Sequence, residues 1–355
     1  MKIKIAILEN DTGYLSRFVN SFEIRYADKV ELYSFTELDF ALQTLNNINI
    51  DIFISSNIFD FDLSYIPKRC EFAYFVDSVD IEMFNGQRAI CKFQKIDLIY
   101  KQILSIYSEN AVNIVGVKNG NENCQVLLFT SPSGGVGSST MAAACALNLA
   151  SKGKKTLYLN LEKYGSADAY FSAEGRFNMS DVIFSLKSRK SNLSMKLESC
   201  VKQDLRGVYF YSQTRLALDM LELSVDEILQ LVSEFKSMGM YDYIILDMDF
   251  SMDNQYLDIF NKVHSIIMVG DGSEISNLKI FRVYESLKKK ELSLDLSMVN
   301  RTVVLYNKFS NKNSKVLENI EIRNIGGAPK YEFATTEQLL CQLSSLSVFN
   351  SLFEA

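Results

Sequence analysis

The chain has 355 residues, of which 48% are hydrophobic and 23% are charged, a composition typical of globular proteins that bury a core. Its net charge of −6 gives no overall attraction to nucleic acid or anionic lipid. Six scattered cysteines without a CxxC pair and a single histidine, His264, argue against a zinc site and a disulfide framework and are typical of a reducing cytosol.

The first hundred residues alternate between strand-like and helix-like patterns. The opening MKIKIAILEND is predicted to be a strand, because its short apolar stretch runs directly into acidic residues and is no signal peptide. Further strands are predicted at residues 30–35, 50–54, 72–76 and 89–93, with helical patterns such as residues 37–45 between them. This alternation predicts a parallel sheet with helices on both faces.

The order and size of these elements resemble the receiver domain of response regulators. A receiver uses an acidic pair after strand 1 to hold magnesium, an aspartate ending strand 3 to accept a phosphoryl group, and a lysine ending strand 5. Glu9 and Asp11 match the acidic pair and Lys92 the lysine, but the acceptor position falls on Ser55 or Ser56. Because a serine hydroxyl cannot replace the carboxylate, we expect an interaction or dimerisation module. The alternative is an active receiver that uses another acidic residue.

Residues 108–123, SENAVNIVGVKNGNEN, are rich in asparagine and glycine and are predicted to be a linker. The prediction is therefore an atypical receiver-like domain at residues 1–107 and a second domain at residues 124–355. Both are expected to be α/β domains with doubly wound sheets.

The second domain opens with a strand, a glycine-rich turn and a small-residue helix, in the stretch QVLLFTSPSGGVGSSTMAAACALNLAS. This order forms a phosphate-binding loop, because glycines let backbone N–H groups approach phosphate oxygens and the helix N-terminus carries partial positive charge. Ser139 occupies the position where a hydroxyl would bind magnesium. The structural alternative is a plain turn between a strand and a helix.

The loop resembles the deviant Walker A motif of the MinD/ParA ATPases, GKGGVGKTT, at GGVG and at the hydroxyl residues. The resemblance implies ATP and Mg²⁺ as cofactors. Both family lysines are replaced, by Ser133 and Ser138, and Pro132 replaces the leading glycine. Together with one asparagine further along the chain, the implied nucleotide-binding residues are Ser133, Gly134, Gly135, Val136, Gly137, Ser138, Ser139, Thr140 and Asn307.

Later motifs extend the resemblance. A strand at residues 155–161 is followed by Glu162, the candidate for positioning the attacking water, while Asn160 stands where the family has a first aspartate. A buried strand ends at Asp247, which resembles Walker B and would hold Mg²⁺ through water. Strands at 265–269 and 302–306 follow, the second ending at Asn307, where the family places an adenine-recognising asparagine.

The C-terminal stretch has apolar residues at helical spacing: Leu339, Leu340, Leu343, Leu346 and Phe349. MinD uses a C-terminal amphipathic helix with lysines to bind membranes, but residues 331–355 contain no lysine or arginine. We therefore predict core or dimer packing here, with membrane contact at most indirect.

A receiver-like domain followed by a P-loop NTPase domain with a degraded MinD/ParA motif resembles the TadZ/CpaE group of bacterial tight-adherence pilus assembly proteins. The resemblance implies a nucleotide-dependent homodimer in the cytoplasm, at the cell pole, that recruits other pilus-assembly or secretion components and hydrolyses ATP weakly at most. No direct binding of nucleic acid is expected. The alternatives are a partition or positioning ATPase that acts on DNA or membrane, and a pseudo-response regulator.

Overall fold

A computed structural model describes residues 2–110, 123–165, 167–188, 192–294 and 297–352. The chain forms two compact units, the first made of Met1–Gly116 with Arg189–Cys200, the second of Val117–Ser188 with Val201–Ala355. Most of the predicted linker, residues 111–122, lies outside the described residues.

The first unit contains a six-stranded sheet with the order β2-β1-β3-β4-β6-β5, in which every pairing is parallel except that of β5 with β6. Its central strands are buried because helices cover both faces. The predicted doubly wound architecture is confirmed. The elements are β1 (Ile3–Leu8), α1 (Thr12–Tyr26), β2 (Val30–Phe35), α2 (Leu38–Asn47), β3 (Ile52–Ser56), β4 (Glu71–Val76), β5 (Met83–Phe84), β6 (Gln87–Cys91) and α3 (Ile96–Asn110).

The remaining elements, in chain order, are β7 (Gln125–Thr130), α4 (Ser138–Ser151), β8 (Thr156–Asn160), α5 (Met179–Lys187), α6 (Leu193–Cys200), β9 (Lys202–Gln203), β10 (Tyr209–Phe210), α7 (Ala217–Leu221), α8 (Val225–Met238), β11 (Tyr243–Asp247), α9 (Asn254–Lys262), β12 (Ser265–Gly270), α10 (Glu274–Leu294), β13 (Thr302–Phe309), β14 (Arg323–Pro329) and α11 (Thr336–Ser344). The sheet of the second unit has the order β14-β13-β12-β7-β11-β8-β10-β9. Only β9 runs antiparallel to its neighbour.

Helix α6 belongs to the first unit, although the chain reaches it from α5 of the second. Its Leu197 is fully buried, and Lys196, also buried, donates a hydrogen bond to Ser105 of α3 at 2.8 Å. Lys196 also forms an ion pair with Glu109 of α3 at 3.7 Å. Helix α6, although it follows residue 124 in the sequence, thus packs against α3 and forms part of the first unit.

The predicted C-terminal helix is part of the core of the second unit. Helix α4 has a run of buried small residues, which leaves room for α11 to pack against it. Leu340, Leu343 and Phe349 are at most 1% exposed and belong to the same hydrophobic cluster as α4. Within the described part of the chain, no helix has the length and apolar character needed to cross a membrane.

Candidate nucleotide-binding site

The glycine-rich turn connects β7 to α4 at the carboxyl edge of the sheet. Gly135 and Gly137 have φ values of +76° and +87°, in the left-handed region that favours glycine. The hydroxyl of Ser131 donates to the carbonyl of Val269 at 2.6 Å and accepts from the backbone N–H of Ser133 at 3.0 Å, which fixes the start of the turn to β12. The N–H groups of the first turn of α4 have no intrahelical partners, so this end of the helix favours an anion.

The end of β13 holds the other side of the turn. The side-chain amide of Asn307, which is 3% exposed, donates to the carbonyl of Val136 at 2.8 Å, and the ammonium of Lys308 donates to the carbonyl of Gly135 at 2.7 Å. A Cβ on Gly137 would lie 2.4 Å from Nδ2 of Asn307. Asn307, predicted to recognise adenine, therefore lies beside the loop and binds its backbone.

Three of the predicted site residues form one hydrogen-bonded network with Asn160. The hydroxyl of Ser139 donates to Oε1 of Glu162 at 2.9 Å, and the amide of Asn160 donates to Oε2 of Glu162 at 2.9 Å and to Oδ2 of Asp247 at 2.8 Å. Tyr158 on β8 also donates to Oδ2 of Asp247, at 2.7 Å. Tyr158 could not be predicted as a site residue, because a tyrosine in an apolar strand resembles any other core residue.

Asp247 is fully buried at the end of β11. Burial and the nearby charge of Glu162 raise the pKa of Asp247 to about 8, against the opposing polar interactions with Tyr158, Ser139 and Asn160. Its Oδ1 atom is buried and makes no hydrogen bond with the described residues. A buried carboxylate oxygen without a partner is costly, and it indicates a position suited to a ligand.

The oxygen atoms around this carboxylate fit a magnesium ion. Ser139, Glu162 and Asp247 supply a hydroxyl and two carboxylates, and oxygen ligands are those that Mg²⁺ prefers. Among the described residues there is no cluster of three or more histidine, cysteine or acidic side chains that could hold a metal without help. The set suits Mg²⁺ shared with the phosphates of a nucleotide, since Mg²⁺ is usually held by one or two carboxylates together with substrate phosphates.

The remaining loop residues predicted to bind nucleotide line the same turn. Gly134 is exposed and Val136 is buried, while the hydroxyls of Ser133 and Ser138 are buried and have no hydrogen-bond partner within the described chain. The hydroxyl of Thr140 lies 3.4 Å from that of Tyr170. The loop therefore offers two unpaired hydroxyls and no lysine of its own.

In the first unit, the residues that match the magnesium and lysine positions of a receiver form a cluster of ion pairs. The ammonium of Lys92 lies 3.3 Å from Oε2 of the buried Glu9 and 3.1 Å from Oδ1 of Asp77. Burial lowers the pKa of Lys92, but its bonds to Asp77 and Glu9 outweigh this and raise the pKa overall. Ser55 and Ser56 are fully buried. Nothing in the sequence had indicated Asp77, which follows β4.

Comparison with known proteins finds a match for each part of the chain, a family model for the first and a fold for the second. Residues 1–108 match the family described as the TadZ-like receiver domain. The MinC:MinD cell division complex of Aquifex aeolicus has a TM-score of 0.51 at 19% identity, covering 65% of this chain and 96% of that one. A ParA family ATPase from Chlorobium tepidum has a TM-score of 0.49 at 19% identity, covering 66% of this chain and 94% of that one. MinD of Pyrococcus horikoshii, in complex with Mg-ADP, has a TM-score of 0.48 at 14% identity, covering 62% of this chain and 94% of that one. No curated protein sequence matches. The chain thus carries a TadZ-like receiver domain followed by a MinD/ParA P-loop fold.

Proposed function

We propose that this protein binds ATP and Mg²⁺ as a homodimer and acts as a localisation or assembly factor of a bacterial tight-adherence pilus system, with little or no ATP hydrolysis. The observation that carries nucleotide binding is the buried, unpartnered Oδ1 of Asp247 beside Ser139 and Glu162. The TadZ-like receiver domain at residues 1–108 supports the pilus system. The MinD/ParA fold of the second unit supports a positioning ATPase.

The loop from Ser133 to Thr140 would hold the phosphates through backbone N–H groups and the N-terminus of α4. Ser139 would hold Mg²⁺ directly and Asp247 through water, and the bound ion would neutralise charge on the β and γ phosphate oxygens. Both carboxylate oxygens of Glu162 accept hydrogen bonds, one from Ser139 and one from Asn160. These contacts favour holding a nucleotide over orienting water for its hydrolysis.

The first unit would then act by contact. Lys92 occupies the place between Glu9 and Asp77, and the acceptor position has no carboxylate. A receiver fold without phosphorylation chemistry is suited to binding other proteins, here components of the pilus-assembly or secretion machine. We place the protein in the cytoplasm, at the cell pole.

Isothermal calorimetry of the full chain with ATP and Mg²⁺ tests nucleotide binding. We expect binding in the wild type and its loss in Gly137→Ala, whose Cβ would collide with Asn307 and strain a φ of +87°. Gly153→Ala is the matched control, because it has a φ of +76° and open space around its Cβ, at the opposite end of α4. Absence of heat from the wild type at millimolar ATP would refute the proposal.

Light scattering in the presence of ATP tests whether the protein forms a dimer. Binding to DNA that weakens as the salt concentration rises would favour a partition ATPase instead.

A further inference from the structure

Lys308, at the carboxyl end of β13, brings a positive charge to a phosphate loop that has no lysine of its own. We propose that Lys308 is the phosphate-binding cation of this site, supplied from β13 in place of the lysines that Ser133 and Ser138 replace. The proposal rests on the proposed ATP binding, and it assigns the nucleotide's phosphates a contact outside the loop.

The first observation is the position of the ammonium. Nζ of Lys308 lies 2.7 Å from the carbonyl oxygen of Gly135, at the tip of the loop. A Cβ built on Gly137 would lie 3.8 Å from Cε of Lys308, so the side chain also passes the last glycine before α4. A small rotation of a flexible lysine side chain brings its ammonium from the loop carbonyl to a phosphate oxygen held by the adjacent N–H groups.

The second observation is the local backbone. Consecutive side chains of a regular strand point to opposite faces, yet Asn307 and Lys308 both contact the loop. Lys308 has a φ of +55°, and the pairing of β13 with β14 shifts register between Tyr306 and Phe309. A left-handed conformation is unfavourable for a lysine and persists only where its surroundings impose it. Here it turns both side chains toward the same loop.

The third observation is charge. Other lysines pair with carboxylates in the described chain, among them Lys92, Lys187, Lys196, Lys288 and Lys330. Lys308 has no carboxylate partner within the described ranges, and its ammonium binds a neutral carbonyl. It can therefore move to a phosphate without breaking an ion pair, and a charge-assisted hydrogen bond replaces a neutral one.

The test measures ATP affinity of the full chain by calorimetry in the presence of Mg²⁺. Loss of one charge-assisted contact should weaken binding about 10- to 100-fold in Lys308→Ala. Lys308→Gln keeps a side-chain N–H donor but carries no charge, so we expect the same loss. Lys308→Arg should retain most of the affinity. Lys262→Ala is the control, because Lys262 is exposed at the end of α9, where the chain leads into the amino edge of the sheet. This variant removes the same charge and should bind ATP like the wild type.

A relocation variant completes the test. In the double variant Lys308→Ala with Ser138→Lys, the loop regains a lysine, and we expect ATP affinity to recover at least tenfold over Lys308→Ala. Wild-type binding with unchanged affinity in Lys308→Ala, or full affinity in Lys308→Gln, would overturn the role of Lys308 and leave ATP binding intact. If the wild type itself binds no ATP, the proposed function fails, and this inference fails with it.

Discussion

At the scale of residues, Asp247 lies in surroundings that disfavour an ionised carboxylate. Its carboxyl is fully buried, one oxygen has no partner, and its pKa is raised to about 8 by burial and by the charge of Glu162. In the unfolded chain the same carboxyl ionises near its ordinary value of about 3.9. Between these two pKa values the folded protein binds a proton that the unfolded chain does not, so stability falls as the pH rises from about 4 through about 8.

Replacing Asp247 with asparagine should therefore have opposite effects in the free and the liganded protein. In EDTA and without nucleotide, Asp247→Asn should raise the midpoint of thermal unfolding, and by more at pH 8 than at pH 5, because the variant never has to bury a charge. With ATP and Mg²⁺ the wild type should gain stability on binding and the variant should gain less. Scanning calorimetry at the two pH values, with and without ligand, makes the comparison. Equal midpoints of both proteins at pH 8 would contradict it.

Some residues of this network could be predicted because their neighbours in the sequence form a recognisable motif. The others could not, because their positions depend on contacts between distant parts of the chain. Ser139 and Asp247 follow directly from a loop motif and from the end of an apolar strand. Tyr158 and Lys308 depend on the spacing between strands and on a register shift in β13, and neither can be read from neighbouring residues. Asp77 has the same origin, since only the folded sheet brings it to Lys92.

At the scale of elements, α6 is the least expected feature. Its buried Leu197 packs in the first unit, and Glu198 accepts hydrogen bonds from Lys29 and from Tyr100 of α3. These contacts join α3 and the loop between α1 and β2 to a helix that lies almost a hundred residues after Tyr100 in the chain. The stability of the first unit should therefore depend on a segment outside residues 1–107.

Leu197→Ala tests that dependence. Truncating a fully buried leucine should lower the free energy of unfolding by about 2–5 kcal/mol, and the loss should be local to the first unit. Hydrogen exchange by mass spectrometry should show faster exchange in α3 and unchanged exchange in α8 of the second unit. Leu205→Ala, which truncates a fully exposed leucine, is the control and should leave both unchanged. Equal protection of α3 in Leu197→Ala and wild type would show that α6 is dispensable.

Long apolar strands and capped helices were predictable, whereas short or irregular elements were not. Strands β7 and β11 lie where their apolar runs predict them, and a capping box of Ser224 and Glu227, a pattern readable from the sequence, begins α8. β3 and β6 are shifted by two residues from the predicted ranges. β14 was missed because its sequence, RNIGGAP, contains two glycines and a proline that disfavour strands, which an edge position tolerates.

At the scale of the whole molecule, each of the two sheets has polar residues at its carboxyl edge. The two groups of residues differ in whether their polar atoms are paired within the chain. In the first unit Lys92 already satisfies Glu9 and Asp77. In the second, Oδ1 of Asp247 and the loop hydroxyls of Ser133 and Ser138 lack hydrogen-bond partners in the described chain. The molecule thus combines one filled site with one site built for a ligand, an arrangement that suits a nucleotide-binding scaffold.

From this arrangement we predict that the protein hydrolyses ATP very slowly. Phosphoryl transfer depends mainly on positioned cations, and a single cationic group can contribute about 10³ to 10⁵ in rate, or roughly 4 to 7 kcal/mol. Ser133 and Ser138 remove two family lysines from each site, and Glu162 is bound at both oxygens. Lys308 donates to a loop carbonyl and would strengthen binding of the ground state.

Single-turnover hydrolysis of the wild type, beside Ser138→Lys and Glu162→Gln, measures this. We expect wild-type turnover near the uncatalysed background, little further loss in Glu162→Gln, and a rate increase of at least tenfold in Ser138→Lys, because the new ammonium can stabilise charge that develops on the transferred phosphoryl group. Fast wild-type turnover with no gain in Ser138→Lys would mean that another cation already acts on the transition state. A further loss of that turnover in Lys308→Ala would then assign the catalytic cation to β13, and the protein would be an ATPase that has moved its lysine from the loop to a neighbouring strand.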